Sequence, residues 1–156
     1  MIDIAASPAI EALWRSHADE LVRFATMLVG PSDASDIVVD SFLAAAPIAA
    51  GPTVSNARAY LYRAVSNQAQ RQRRSSERRW IRDLAAIGAE VTIAADSLID
   101  VRRAVTSLSL DQRTIVYLAY WEDMRERDIA GLLDLSPATV HRRLAHAKLR
   151  LRKALI

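Results

Sequence analysis

Apolar positions along this chain recur at intervals of three and four residues, and no stretch alternates convincingly with a period of two, so the pattern predicts helices throughout. Over residues 8–28, Ile10, Leu13, Trp14, Leu21, Ala25 and Leu28 share one helical face. Gly30-Pro31 stops that helix, because glycine accepts a left-handed cap and proline cannot continue a helix. Ser32 or Asp33 is placed to cap the next helix, running from Ala34 to about Ala46. Pro47 to Ser55 holds two prolines and a glycine and reads as a loop. Asn56 can cap a third helix from Ala57 to about Arg79, with Leu61, Ala64, Val65 and Gln68 on its buried face. Trp80 to Asp96 lacks strong periodicity and reads as a linker, ordered or flexible.

Periodicity returns over Ser97 to about Ser107, where Leu98, Val101 and Val105 lead to Leu108. Ser109 with Gln112 three positions on is a capping-box pattern, opening a helix to about Trp121. Ile129, Ala130, Leu132 and Leu133 then mark a short helix, broken at Asp134-Leu135-Ser136. Ser136 can cap the following helix, and Pro137 suits its first position, where a missing N–H costs nothing. Two helices joined by about three residues form the helix-turn-helix pattern. In the second, Val140, Leu144, Ala147 and Leu151 form one stripe able to pack inward. The expected architecture is all-α: two small helical domains, 8–79 and 97–156, joined by the linker 80–96.

Charge sharpens this picture. The chain has 156 residues and a net charge of +3, room for one ordinary domain or two small ones. Residues 1–57 are net −5, 58–79 net +6, 80–136 net −4 and 137–156 net +6. Two basic blocks inside acidic surroundings point to two nucleic-acid contacts on one chain. Cysteine is absent, which excludes a disulfide framework or a thiolate metal site. No apolar run approaches the roughly 20 residues of a membrane helix. The acidic N-terminus lacks the basic start of a secretory signal, so the expected location is cytoplasmic.

A basic, capped second helix after a short turn is what entry into a DNA major groove requires. The bland alternative is a solvated amphipathic helix whose cations complement the helix dipole. Thr139, His141 and Arg142 stand near the N-terminal end, where such a helix meets base edges, and Arg142 is the leading base reader through guanine. Arg143, Lys148 and Arg150 suit phosphates, and His146 lies off the apolar stripe with them. His141 and His146 have no evident co-ligand, so no metal is expected; His17 reads as an ordinary helix residue. None of the four glycines belongs to a phosphate-cradling loop and no catalytic triad is evident. The expectation is therefore no enzyme and no cofactor.

Taken in order, these segments resemble an extracytoplasmic-function (ECF) sigma factor, a group IV member of the sigma-70 family, over nearly the whole length. Ala34-Ser35-Asp36-Ile37-Val38-Val39-Asp40-Ser41-Phe42 resembles the family's acidic region-2 helix. Ala59-Tyr60-Leu61-Tyr62-Arg63-Ala64-Val65-Ser66-Asn67, followed by arginines, resembles its "W-L-Y-R-I-A-R-N" segment. Leu108 to Arg113 resembles the start of region 4, and Ala138-Thr139-Val140-His141-Arg142-Arg143-Leu144 its DNA reader.

The resemblance implies region 2 at 8–79, which binds the RNA polymerase clamp, recognises the −10 element and helps open the duplex. It implies region 4 at 97–156, which binds the polymerase flap and reads the −35 element. Asp36, Val39, Asp40 and Phe42 would then meet the polymerase; the two aspartates fall four apart on one face, offered to a basic partner. An unstacked base needs aromatic, polar and arginine groups, which Asn56, Tyr60, Arg63 and Asn67 could supply, with Arg71, Arg74 and Arg78 on nearby phosphates. Core packing is the competing role for Tyr60. The implied partners are core polymerase, promoter DNA and an anti-sigma factor able to cover the polymerase-binding faces; the free chain is expected to be a monomer.

Departures from the family pattern touch details. Val39 stands where a polar residue is usual and Tyr60 where Trp is common. Arg125 or Glu126 replaces a Ser or Thr cap, and Asp134 replaces a turn glycine. The rival reading is a helix-turn-helix repressor or activator that acts without joining polymerase; it explains the C-terminus but not the first basic block.

Overall fold

The computed structural model describes residues 7–73, 78, 82, 104–105 and 107–155. Among them the chain forms helices α1 (Pro8–Val29), α2 (Pro31–Ala49), α3 (Ala57–Arg71), α4 (Leu110–Tyr120), α5 (Glu126–Leu133) and α6 (Pro137–Leu155). No strand occurs among the described residues, as the three-to-four periodicity predicts.

The α1–α2 corner differs from its expected form. Gly30 sits at φ 86°, ψ 167° and serves both as C-cap of α1, through its N–H to the Thr26 carbonyl at 2.9 Å, and as N-cap of α2. Pro31 takes the first helical position, for which its fixed φ is suited. Neither Ser32 nor Asp33 is therefore the cap, and Asp33 is buried instead. A side chain is strained at that φ,ψ, so Gly30→Ala is expected to lower stability by about 1–3 kcal/mol. Urea unfolding measures it; an unchanged midpoint would contradict the strain argument.

The expected loop at Pro47 is also corrected. Helix α2 runs on to Ala49 with Pro47 inside its last turn. Proline there forfeits only one intrahelical bond before the helix ends. Asn56 caps α3 as its sequence suggests, its Oδ1 accepting from the Ala59 N–H at 3.0 Å. That helix closes at Arg71, not Arg79, with Gln72 as its C-cap. Arg74 and Arg79 of the first basic block lie outside the described residues, as do the linker apart from Arg82 and most of the helix expected over 97–107. The buried face of α3 is Leu61, Tyr62, Val65 and Ala69; Ala64 and Gln68 are only half-buried. Helices α1, α2 and α5 all pack on α3, so its buried strip is set by three neighbours and not by one ideal stripe.

The second half follows its sequence closely. The capping box forms in both directions, with Ser109 N–H to Gln112 Oε1 at 2.9 Å and Gln112 N–H to Ser109 Oγ at 3.2 Å. Arg125 begins α5 without a side-chain cap. Asp134 turns the chain at φ 58°, ψ 47°, a left-handed conformation that aspartate tolerates. Ser136 Oγ accepts from the Thr139 N–H at 3.2 Å. Val140, Leu144 and Ala147 are buried and Leu151 is half-buried, as the α6 stripe predicts.

The halves share one hydrophobic cluster. Its hinge point is Phe24 of α1, whose ring lies 4.9 Å from Tyr62 of α3 and 5.6 Å from Tyr117 of α4. Arg113 of α4 is 1% exposed, an expensive place for a guanidinium unless its N–H groups are bonded. Its Nη2 donates to the Leu28 carbonyl at 2.9 Å and its Nη1 to the Leu108 carbonyl at 3.3 Å.

Candidate nucleic-acid interface

Helix α6 turns its apolar stripe inward, and that orientation delivers its cations to the outside. The first two exposed turns are partly committed. Thr139 Oγ1 lies 2.8 Å from Ser136 Oγ, inside the cap. His141 Nδ1 lies 3.0 Å from a Glu126 carboxylate oxygen of α5, which tethers the ring to the preceding helix. Arg143 faces Asp111 of α4 at 3.8 Å. Arg142 and His146 are exposed and carry no hydrogen bond or ion pair to a described residue. Farther along, Lys148 Nζ stands 5.9 Å from the Tyr120 ring centroid and Arg150 Nη1 donates to Gln112 Oε1 at 3.2 Å. The seven α6 residues named for DNA contact therefore lie on one helix, with Arg142 the least encumbered cation of its first turns.

The other expected contact gathers along α3. A groove of about 280 Å³ between α2 and α3 is lined by Tyr60, Arg63, Asn67 and Arg71, with Asp40 and Ser41 on the opposite wall. Four residues one helical turn apart thus reach one concavity, as i, i+3, i+4 spacing requires. Tyr60 is half-buried, so core packing and an open edge coexist in one side chain. Asn56 is not in this groove. It lines a larger cleft of about 850 Å³ between the 50–56 loop, α3 and α5, which Tyr60 and Arg63 also border. Arg63 is not free there: its Nε donates to the Leu132 carbonyl and its Nη2 to the Gly131 carbonyl, each at 3.0 Å.

On the outer face of α2, Asp36, Val39 and Asp40 are exposed. Phe42 lies beneath that face, 5% exposed, its ring edge-on to Trp14 at 4.9 Å. Leu43 is exposed beside it, one turn on from Val39 and unremarked in the sequence, where an i, i+4 apolar pair on an acidic face was the available signal. Trp14, expected on the inward stripe of α1, stands at the edge of this face and is 37% exposed.

Residues that periodicity does not single out tie the two halves together. Arg58 Nε donates to both Glu20 carboxylate oxygens at 3.1 Å, and its Nη2 to Glu122 at 3.2 Å. Burial would lower the Arg58 pKa, but the Glu20 and Glu122 carboxylates raise it above its ordinary value. Burial, then the bond to Glu122, pushes the Tyr117 phenol up to about 12. The raised value means that its neutral form stabilises the fold fully below pH about 10, a contribution lost as pH rises through about 12.

Residues 98–151 match the family described as Sigma-70, region 4. Over 157 aligned positions, covering 94% of this chain and 88% of the relative, the sequence is 31% identical to the ECF RNA polymerase sigma factor SigL of Mycobacterium tuberculosis strain H37Rv. Strain CDC 1551 gives the same figures. Among solved structures, the fold is similar to the sigma factor RpoE of Bartonella quintana, crystallised with the anti-sigma factor NepR. That likeness has a TM-score of 0.69 at 23% identity and covers 96% of this chain and 98% of that one.

Proposed function

The chain belongs to the ECF RNA polymerase sigma factor family, and from that premise we propose that it binds core RNA polymerase and directs promoter-specific initiation. The observation that carries this reading is the separation of an open, arginine-bearing α6 from a second polar groove on α3, within one chain. In this reading residues 8–79 act as region 2, 80–96 as linker and 97–156 as region 4. Arg142 reads a −35 base pair, with Thr139, His141, Arg143, His146 and Lys148 positioning α6 on the duplex. Tyr60, Arg63 and Asn67 hold an unstacked −10 base, with Asn56 at the mouth of the neighbouring cleft and Arg71 and Arg74 on phosphates.

The α2 face supplies the polymerase contact: Asp36 and Asp40 as carboxylates, Val39 and Leu43 as apolar anchors, Phe42 as the support beneath. The same face would serve an anti-sigma factor, since covering it blocks the polymerase. The chain carries no chemistry of its own in this account and works in the cytoplasm, beside polymerase; no helix among the described residues is long and apolar enough to cross a membrane. A helix-turn-helix regulator acting apart from polymerase would leave the α2 face and the α3 groove without a role.

The direct test is run-off transcription with purified core polymerase on genomic fragments, where discrete start sites that depend on the chain are expected. Asp36→Arg reverses one exposed charge and should weaken core binding about tenfold, the effect of roughly 1.4 kcal/mol, with the fold intact. Core binding by fluorescence anisotropy checks it; wild-type affinity would remove Asp36 from the contact.

A further inference from the structure

On the footing of the proposed −35 role of α6, we infer that His141 is a second base reader beside Arg142. Glu126 makes it one by fixing which ring nitrogen carries the proton, so that Nε2 accepts from the exocyclic amino group of adenine or cytosine. His141 Nδ1 faces both oxygens of the Glu126 carboxylate, at 3.0 and 3.1 Å. An ionised carboxylate accepts hydrogen bonds and cannot donate one. The nitrogen opposite it must therefore hold the proton, and the neutral ring keeps a lone pair on Nε2. Nε2 has no hydrogen bond to a described residue, and the His141 side chain is 72% exposed. The tie to Glu126 thus occupies one nitrogen and presents the other as an acceptor.

Both residues stand on anchored helices. Glu126 opens α5, where the helix dipole favours a carboxylate, and Ile129 and Ala130 are buried one turn on. His141 follows Val140, which is fully buried in the first turns of α6. The left-handed Asp134 and the Ser136 cap fix how the two helices meet. Side chains on packed helices are held more closely than side chains on loops. The other helix packed on α6 is α4, whose Asp111 faces Arg143. Glu126 is thus the carboxylate that governs His141.

An exposed pair of this kind adds little stability, and a carboxylate close to the duplex repels phosphates. What Glu126 adds is the choice between donor and acceptor at Nε2. In the major groove, adenine N6 and cytosine N4 donate, whereas guanine O6 and thymine O4 accept. A lone pair on Nε2 matches the first two groups and is repelled by the others. Arg142 carries donors only and suits guanine. Adjacent positions of α6 therefore select opposite base edges.

Two measurements test this, both at about pH 8, above the ordinary imidazole value of about 6.5. On the free chain, long-range proton–nitrogen correlation spectra report which nitrogen of each of the three histidines is protonated, and His141→Ala assigns the signal. His141 should carry its proton on Nδ1. Glu126→Gln, whose amide both donates and accepts, should give a mixture of the two forms. A wild-type ring protonated on Nε2 overturns the inference.

On holoenzyme, competition binding to promoter duplexes altered one base pair at a time should show a second selective position beside that of Arg142. There, adenine or cytosine on the contacted strand should be preferred over guanine or thymine about threefold to tenfold, the effect of one hydrogen bond. Glu126→Ala should lose this preference while binding all sequences more tightly, because a negative charge leaves the DNA face. It should change no preference once His141→Ala is present, since the two residues act as one unit. Preference retained in Glu126→Ala, or altered by it without His141, overturns the inference. If His141→Ala loses no selectivity while Arg142→Ala loses its own, the inference fails and the functional reading stands. If holoenzyme selects no promoter at all, the functional reading falls, whichever nitrogen holds the proton.

Discussion

Phe24→Ala is expected to destabilise the protein by about 3–5 kcal/mol, the range for removing a fully buried aromatic ring. Phe24 is completely inaccessible, and its ring meets Tyr62 on one side and Tyr117 on the other. This side chain thus packs against both halves of the shared cluster. The loss should therefore appear in α3 and α4 together, as one cooperative transition moved to lower urea and as faster amide exchange in both helices. Phe24→Leu keeps much of the volume and should cost less than about 1.5 kcal/mol. If Phe24→Ala speeds exchange only in α1–α3, the halves are thermodynamically separate and the shared cluster adds little.

That dependence on one ring explains what the sequence could and could not disclose. Local rules worked where local geometry decides. The Ser109–Gln112 box, the Asn56 and Ser136 caps, the left-handed Asp134 and the α6 stripe all follow from residues within a turn or two. Gly30-Pro31 does end α1 as expected, but the rules missed that Gly30 also caps α2 with Pro31 as its first residue, and they failed at Pro47, which lies inside the last turn of α2. They failed again on α3, where three packed neighbours bury Tyr62 and Ala69, which one ideal stripe leaves out. Of the site, the α6 cations and the Tyr60–Arg71 row were legible because each lies on one helix. The engagement of Arg63 with α5 and of Arg113 with α1 was not, because donor and acceptor are 68 and 85 residues apart. Phe42, expected to meet the polymerase, is buried for a related reason: motif resemblance reports which residues recur, while packing against Trp14 decides which of them faces out, and Leu43, which the sequence did not single out, is the exposed one.

Arg142→Ala is expected to cost about 1–3 kcal/mol of discrimination at a single −35 base pair, the value of one good bidentate contact to guanine. At roughly 1.4 kcal/mol per decade this is about a tenfold to hundredfold loss of preference there. The structure narrows the choice of reader. In the first turns of α6, Thr139 is spent in the cap, His141 is tethered to Glu126 and Arg143 leans towards Asp111. Arg142 is exposed beside them with no such tie to a described residue, so its fork has no bond within the described residues to break before it reaches a base edge. Lys148→Ala should behave differently, weakening binding evenly across sequences and reducing the salt slope by about one. Arg142→Lys separates the two effects, because an ammonium keeps the attraction to phosphate and loses the fork that matches guanine. Run-off transcription by holoenzyme on promoters altered one base pair at a time measures all three. Loss of preference confined to one position, unrelieved by lysine, identifies the reader; an even decline across positions would make Arg142 a phosphate contact and move base reading elsewhere on α6.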